Sequence, residues 1–463
     1  MRFLQGSIET FSGGLIALQL QNRKPRKPLQ TTANHAIAVK SQIPFLVTFQ
    51  GLGGERDGTR THDPLIKSQM LYQLSYALPY GWHPLPGDVV RVNSNAKIGF
   101  VRGCRRARAG ANWDHKKPKR SRAPGGHMRY IDSFNHFFPP RFFDKMLASP
   151  GSIADIGKRI RGIPHIYDLD LRIKQVESFP DYSQILSLGL PAFDVFASPD
   201  DALEYARIAN DGLAEICAKY PRHFPGYVAG LPMNNPEAAV REAERVFANG
   251  ANGLQLHTNV GGAALDEARF FPIFETAHRH GKPVLLHPAR TADSPDFLAE
   301  KRSRYEIWAI FGWPYETSAT MARLVFSGVM SRLPGLKILT HHLGAMIPFF
   351  DARIRIGWSQ LGTRTSDEDL SHIPEMLGKP IVECFRDFYG DTALCGGRAG
   401  IQCGLDFFGA DKVVFATDSP FDPEGGYMYI RDAIKAMESI ELTREDREKV
   451  AFGNAVKMFG LKN

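Results

Sequence analysis

Several side chains able to bind a metal stand where short apolar runs end. Val413, Val414 and Phe415 form a run of the kind that makes a buried strand, and Thr417-Asp418-Ser419-Pro420 follows it. Pro420 has no N–H with which to continue a ladder. Asp418 therefore sits where a strand emerges, and a buried carboxylate there is costly unless a cation, a donor or a metal meets it. Alone, the tetrapeptide reads equally as a turn. Repetition gives it weight: His136 closes RYIDSFNH, His287 closes KPVLLH, and His341 and His342 follow LKILT. Imidazoles with a carboxylate suit a borderline divalent ion such as zinc, with manganese or magnesium as alternatives. A coordination position left open would make the site catalytic rather than structural.

Such residues converge only if the chain brings the ends of distant strands together. From Met128 onward, short apolar runs alternate with amphipathic segments, the pattern of a parallel α/β architecture. The runs are RYIDSFNH, QILSLGLP, GYVAGLPM, NGLQLHTN, KPVLLHPAR, LKILTHH, FRDFYGDTAL and KVVFATDSP. Helices are predicted over 198–220, 236–248 and 267–280, and Leu203, Ala206, Leu213 and Ile216 recur on one face of the first. The stretch 144–182 shows no clear period and reads as a long insertion. Eight strands with helices between them predict a (β/α)8 TIM-type barrel, whose chemistry lies at the C-terminal ends of its strands. An open doubly wound sheet would carry a glycine-rich phosphate loop after its first strand. Here NHFFPP stands in that place.

Composition limits the rest. The chain carries a net charge of +8, unevenly spread. Residues 1–127 hold 20 basic and 6 acidic side chains, a net +14, whereas residues 128–463 hold 37 and 43, a net −6. The body is thus a slightly acidic globular protein that needs no nucleic-acid partner. No run of eighteen apolar residues spans a membrane, and the start lacks the apolar core of a secretory signal. Five cysteines without a CxxC pair indicate neither a disulfide framework nor a cysteine zinc site, in keeping with a cytoplasmic protein.

The basic segment 1–127 reads as a disordered extension without sustained periodicity. Its stretch Gly58 to Pro79 resembles the antisense strand of a transfer-RNA gene translated in frame. The codons permitted for Leu71 to Tyr76 complement a typical D-arm. On that resemblance the natural protein opens at Met128 and the segment is a start-site artefact. The competing readings are an RNA-binding basic tail and an organelle-targeting segment.

The body resembles the amidohydrolase-related family of metal-dependent barrels, which includes aminocarboxymuconate-semialdehyde decarboxylase and the resorcylate-type aromatic acid decarboxylases. The resemblance rests on IDSFNHFFP, KPVLLHPAR, LPGLKILTHHLGAMIPFF, VVFATDSPFDP and GNAVKMFGL. It implies His136, His287 and Asp418 as metal ligands. His342, six residues before Pro348, matches the family's strand-six histidine, so His342 and Asp418 are the implied proton-handling pair. The family's first-strand motif is D-x-H-x-H, and this chain has Phe134 in place of the first histidine. Phenylalanine cannot ligate, so fewer ligands remain. Neighbouring side chains of a strand face opposite sides, which turns His341 toward the helix layer if His342 faces inward.

His257 and Arg290 are candidate substrate-binding residues near the same rim, Arg290 as a two-pronged clamp on a carboxylate. Arg159 and Arg161, on the insertion, are further candidates. Glu316 reads as a helix-start residue. The resemblance implies non-oxidative decarboxylation of an aromatic or unsaturated acid; relatives commonly pair as homodimers, and the sequence itself leaves the oligomeric state open. The same ligands would equally serve a hydrolase of an amide, ester or lactone through metal-bound water. Phe134 also leaves open a metal-poor, non-catalytic member.

Overall fold

The computed structural model describes residues 128–462, apart from 150, 151, 153, 154 and 366, together with five strand segments between residues 3 and 101. The chain divides into two compact units, Met1–Ser121 and Arg122–Asn463. In the first unit, Phe3–Phe11, Leu15–Arg23, Phe45–Val47, Val89–Asn93 and Ile98–Val101 form one sheet. Its longest pair is antiparallel, with Phe3 opposite Arg23 and Phe11 opposite Leu15. Ile16, Leu18 and Leu20 alternate there with Ala17, Gln19 and Gln21, the period of a strand, where the sequence leads one to expect no regular structure. The stretch Gly58 to Pro79 lies outside the described residues.

The second unit is the expected barrel. Its strands are β1 (Tyr130–Asp132), β2 (Tyr182–Leu186), β3 (Gly226–Gly230), β4 (Gly253–His257), β5 (Val284–His287), β6 (Ile338–Thr340), β7 (Tyr389–Asp391) and β8 (Val413–Val414). They pair in sequence order, all parallel. Just beyond the strands proper, β8 meets β1 through backbone bonds. Ser133 N–H donates to Phe415 O (2.9 Å), Asp418 N–H to Phe134 O (2.9 Å) and His136 N–H to Ser419 O (2.8 Å). These bonds close the cylinder and tie the Asp418 loop to the His136 loop.

Helices cover the outside: α1 (Pro140–Leu147), α2 (Ile156–Ile160), α3 (Leu169–Glu177), α4 (Pro199–Lys219), α5 (Pro236–Ala248), α6 (Phe271–Arg279), α7 (Gly312–Phe326), α8 (Arg398–Phe408) and α9 (Tyr427–Ser439). Ser198 caps α4 by accepting from Asp201 N (3.2 Å), and Pro199 fits the first turn, where its missing N–H has no partner to lose. On the α4 face, Ala206, Leu213 and Ile216 are buried as expected, and Leu203 is half-buried. The insertion 144–182 holds α2, α3 and the end of α1. These pieces run five to nine residues, too short for a helical period to stand out. No helix among the described residues is long and apolar enough to cross a membrane.

Two apolar layers result. One lies between strands and helices and includes Met321, Leu324, Val325 and Val329. The other fills the barrel itself with Ile131, Ile185, Val228, Leu285, Leu339 and Val414. This inner plug is the floor on which the polar strand ends stand. Leu285 is fully buried in it. Leu285→Ala is expected to lower the unfolding free energy by about 2–5 kcal/mol, read as a lower denaturant midpoint with an unchanged slope.

Candidate active site

A cavity of about 310 Å³ opens above the plug, lined by His287, His341, His342, Asp418, Arg159, Trp308, Trp313 and Phe421 among others. Each polar group arrives on its own element. His287 is the last residue of β5, in register with His257 at the end of β4. His136 follows β1 and bridges to Ser187 beyond β2. Asp418 follows β8 with φ 63°.

The imidazoles and the carboxylate converge. His136 Nε2 lies 3.0 Å from Asp418 Oδ1, and the His136 and His287 ring centroids are 5.1 Å apart. His342 Nε2 lies 3.8 Å from Asp418 Oδ2. Phe134 stands in their midst, its ring centroid 4.9 Å from that of His136, 5.5 Å from His287, 5.2 Å from His341 and 6.4 Å from His342.

Hydrogen bonding fixes the ring orientations. His136 Nδ1 lies 3.0 Å from Leu188 O, and His287 Nδ1 lies 2.7 Å from Pro288 O. Carbonyl oxygens only accept, so each Nδ1 carries the proton and donates it. In a neutral ring Nε2 is then bare. For His136 that lone pair faces a carboxylate oxygen, an arrangement that a cation between them resolves. Histidine ligands are commonly held in this way, by a carbonyl behind the distal nitrogen. Burial pushes His287 and His341 well below the usual imidazole range, with neighbouring imidazoles adding to the effect. It pushes His257 and His342 down to about 4. These four rings are uncharged at neutral pH, as ligation requires.

His341 corrects the expectation that it faces the helix layer. It is 2% exposed and lines the cavity beside His342, the two ring centroids 3.2 Å apart. Strand alternation ceases to apply because β6 ends at Thr340. From His342 to Ala345 every residue has positive φ: 49°, 55°, 73° and 55°. Only Gly344 adopts that region freely, and each of the others costs about 1–2 kcal/mol. The left-handed turn brings both rings to the same side. Asp391, at the end of β7, holds it by accepting from His342 N (3.1 Å). Gly404 of α8 leaves room for Leu343, whose Cδ2 would lie 2.0 Å from any Cβ there.

A polar network beneath the loops has no signal in the sequence. Arg172, on α3, is fully buried. It donates to His165 O (3.0 Å), Ser419 Oγ (3.2 Å), Gln184 Oε1 (3.4 Å) and His136 O. One guanidinium thereby fixes the loops that carry His136 and Asp418. Beside it, Asp132 accepts from Tyr182 OH (2.6 Å), Thr417 Oγ1 (2.6 Å), Thr417 N (3.1 Å) and Phe134 N (3.3 Å). Burial raises the Asp132 carboxyl to about 6 against those four donors, and lowers Arg172 to about 10.

The remaining candidates fall on both sides of the cavity wall. Arg159, on α2, reaches the imidazole cavity and donates to Phe421 O. Arg161 is exposed just after α2. Arg290 lines an adjoining cavity of about 210 Å³ that shares Asp155, Ile156, Leu190 and Trp308 with the first. Its Nη2 donates to Pro295 O (3.1 Å). The His257 ring lies 5.5 Å from His287, and its buried Nε2 has no partner. Glu316, in the first turns of α7, accepts from Thr258 Oγ1 and from Asn259 Nδ2 (2.7 Å), which steadies the end of β4.

Known proteins share this framework. A family model described as amidohydrolase matches residues 161–461. A 2-amino-3-carboxymuconate-6-semialdehyde decarboxylase of Dictyostelium discoideum is 30% identical over 308 residues, 66% of this chain and 80% of its own. A gamma-resorcylate decarboxylase of Polaromonas sp. is 32% identical over 306 residues, 63% of this chain and 87% of its own. Among solved structures, a 5-carboxyvanillate decarboxylase of Novosphingobium aromaticivorans, complexed with manganese and 4-hydroxy-3-methoxy-5-nitrobenzoic acid, superposes with a TM-score of 0.61 at 26% identity. It covers 72% of this chain and 96% of its own. A barrel of eight parallel strands, imidazoles and an aspartate at their C-terminal ends, and a family match across most of the barrel lead to one conclusion: this chain belongs to the amidohydrolase family.

Proposed function

We propose that this protein is a metal-dependent carboxy-lyase that removes carbon dioxide, without oxidation, from an aromatic or conjugated carboxylic acid. The orientation of two imidazoles carries the reading. His136 and His287 both spend Nδ1–H on a backbone carbonyl, and Asp418 Oδ1 lies 3.0 Å from the free nitrogen of His136. These donors suit a divalent cation, and we assign His136, His287 and Asp418 to hold it; the ligating atoms that lie within 4.8 Å of one another are those of Asp418, His341 and His342. Imidazole and carboxylate donors accept zinc and manganese alike, and the solved relative contains manganese.

A cation held there would supply Lewis-acid chemistry, drawing electron density from the substrate while carbon dioxide departs. The chain's own groups do the rest. The reaction replaces a carbon–carboxylate bond by a carbon–hydrogen bond and takes up one proton. That proton enters from solvent by way of His342, and the Asp418 carboxylate 3.8 Å away offsets the charge while the ring carries it. The pair then passes that proton to the carbon. Trp308, Trp313 and Phe421 supply flat walls for a planar acid. Arg159 stands where it can orient an anionic group. Arg290, in the adjoining cavity, contacts larger substituents, and His257, its ring 5.5 Å from that of His287, backs the same wall.

Metal analysis and gas release test this directly. The purified chain is expected to hold close to one divalent ion and to liberate carbon dioxide from some hydroxybenzoates or related acids. His287→Ala and Asp418→Ala are expected to lose most of both. Amine release or ring opening, with no carbon dioxide formed, would replace the lyase reading with a hydrolase.

Arg172→Met keeps the volume but removes the donors to the His136 carbonyl and the Ser419 hydroxyl. It is expected to cost at least about 2–3 kcal/mol of stability and to weaken metal binding roughly 10- to 100-fold. Denaturant titration and chelator competition measure the two effects separately.

A further inference from the structure

The site holds two imidazoles more than the three-ligand set uses, His341 and His342, and a ring that cannot ligate where a ligand belongs. Phe134 is 1% exposed and packs among four histidines. It fills the β1 position with apolar surface and leaves the cation one donor short. Across the cavity, one ligating atom from each of His341, His342 and Asp418 lies within 4.8 Å of the other two. Nitrogen and oxygen donors on a cation at about 2.0–2.2 Å lie up to roughly 4.4 Å apart, so small shifts of His341 and Asp418 would put both on one cation, with His342 left beside it to carry the proton.

The geometry points to His341 as the substitute donor. A divalent cation in this pocket takes His341, from the turn after β6, in place of the missing β1 imidazole, and so sits nearer β6 and Asp418. This rests on the metal-dependent reading above and goes beyond it by naming a ligand from the opposite wall. Two observations support it independently of the clustering. His341 Nδ1 is buried and has no hydrogen-bond partner, a state that costs free energy unless something meets the atom. The turn that aims His341 into the cavity is held in left-handed backbone at three non-glycine residues. Such strain persists where surrounding structure enforces a working geometry.

Asp418 is suited to the displaced position. Its Oδ1 faces His136 and its Oδ2 faces His342, so it can follow the cation without leaving the β8 loop. Phe134 in turn gives the cation no donor, which leaves His136 as the imidazole offered from the β1 loop.

The test is cobalt titration of the metal-stripped full chain, read by the visible cobalt absorption and by competition with a chelating dye. The wild type, His341→Ala, His341→Asn and the double variant Phe134→His/His341→Ala are compared, each checked by circular dichroism. Loss of an outer hydrogen bond alone weakens metal binding roughly 10- to 100-fold, so losing a direct ligand is expected to reach or exceed that range and to change the absorption band. His341→Asn keeps a polar side chain at the position and decides the matter if the alanine variant fails to fold. The double variant, with an imidazole restored on β1, is expected to regain tight binding. Wild-type affinity and an unchanged band in both single variants would overturn the role of His341 while leaving metal dependence intact. A wild type that takes up no cobalt, zinc or manganese would overturn metal dependence itself.

Discussion

The approach of His136 Nε2 to the Asp418 carboxylate is the contact on which the molecule depends. It joins the ends of the first and eighth strands, 282 residues apart in sequence. Three backbone bonds beside it close the barrel. The fold therefore brings an imidazole nitrogen and a carboxylate oxygen face to face at its seam. With Nδ1–H given to Leu188 O, Nε2 is turned toward Asp418. A cation held by both groups would brace the closure of the barrel as well as serve the site.

Beneath that seam lies a second tier of polar groups. Arg172, Asp132, Tyr182, Gln184 and Thr417 form a buried network from α3, β1, β2 and the β8 loop. A fully buried guanidinium is costly unless its donors are used. Here they are used on groups that fix His136 and Ser419. The network touches no cavity atom, yet it sets where the ligands stand.

Much of this arrangement was legible in the sequence because buried parallel strands leave short apolar runs, and the residue ending each run stands at the barrel mouth. His136, His287, His342 and Asp418 come together for that reason. His341 departs from strand alternation because the strand ends at Thr340 and gives way to a turn whose left-handed backbone nothing in HHLGA announces except Gly344. Arg172 was invisible because a basic residue in KRIRGIPHIYDLDLR reads as solvated; only the fold shows that α3 turns it inward. The helices of the insertion 144–182 escaped notice because five to nine residues make too few turns for a periodic signal. Arg290 was placed by its distance from His287 along the chain, but the loop after β5 carries its guanidinium onto the carbonyl of Pro295.

Phe134 has one more effect. With the inner plug below it and imidazoles around it, the chamber has a hydrocarbon base. Liquid water finds few partners there, so charges above that base act on one another through a weakly polarisable medium. Carbon dioxide is small, uncharged and poorly solvated. A floor without hydrogen-bond donors offers carbon dioxide no partner to hold it once the carbon–carbon bond has broken.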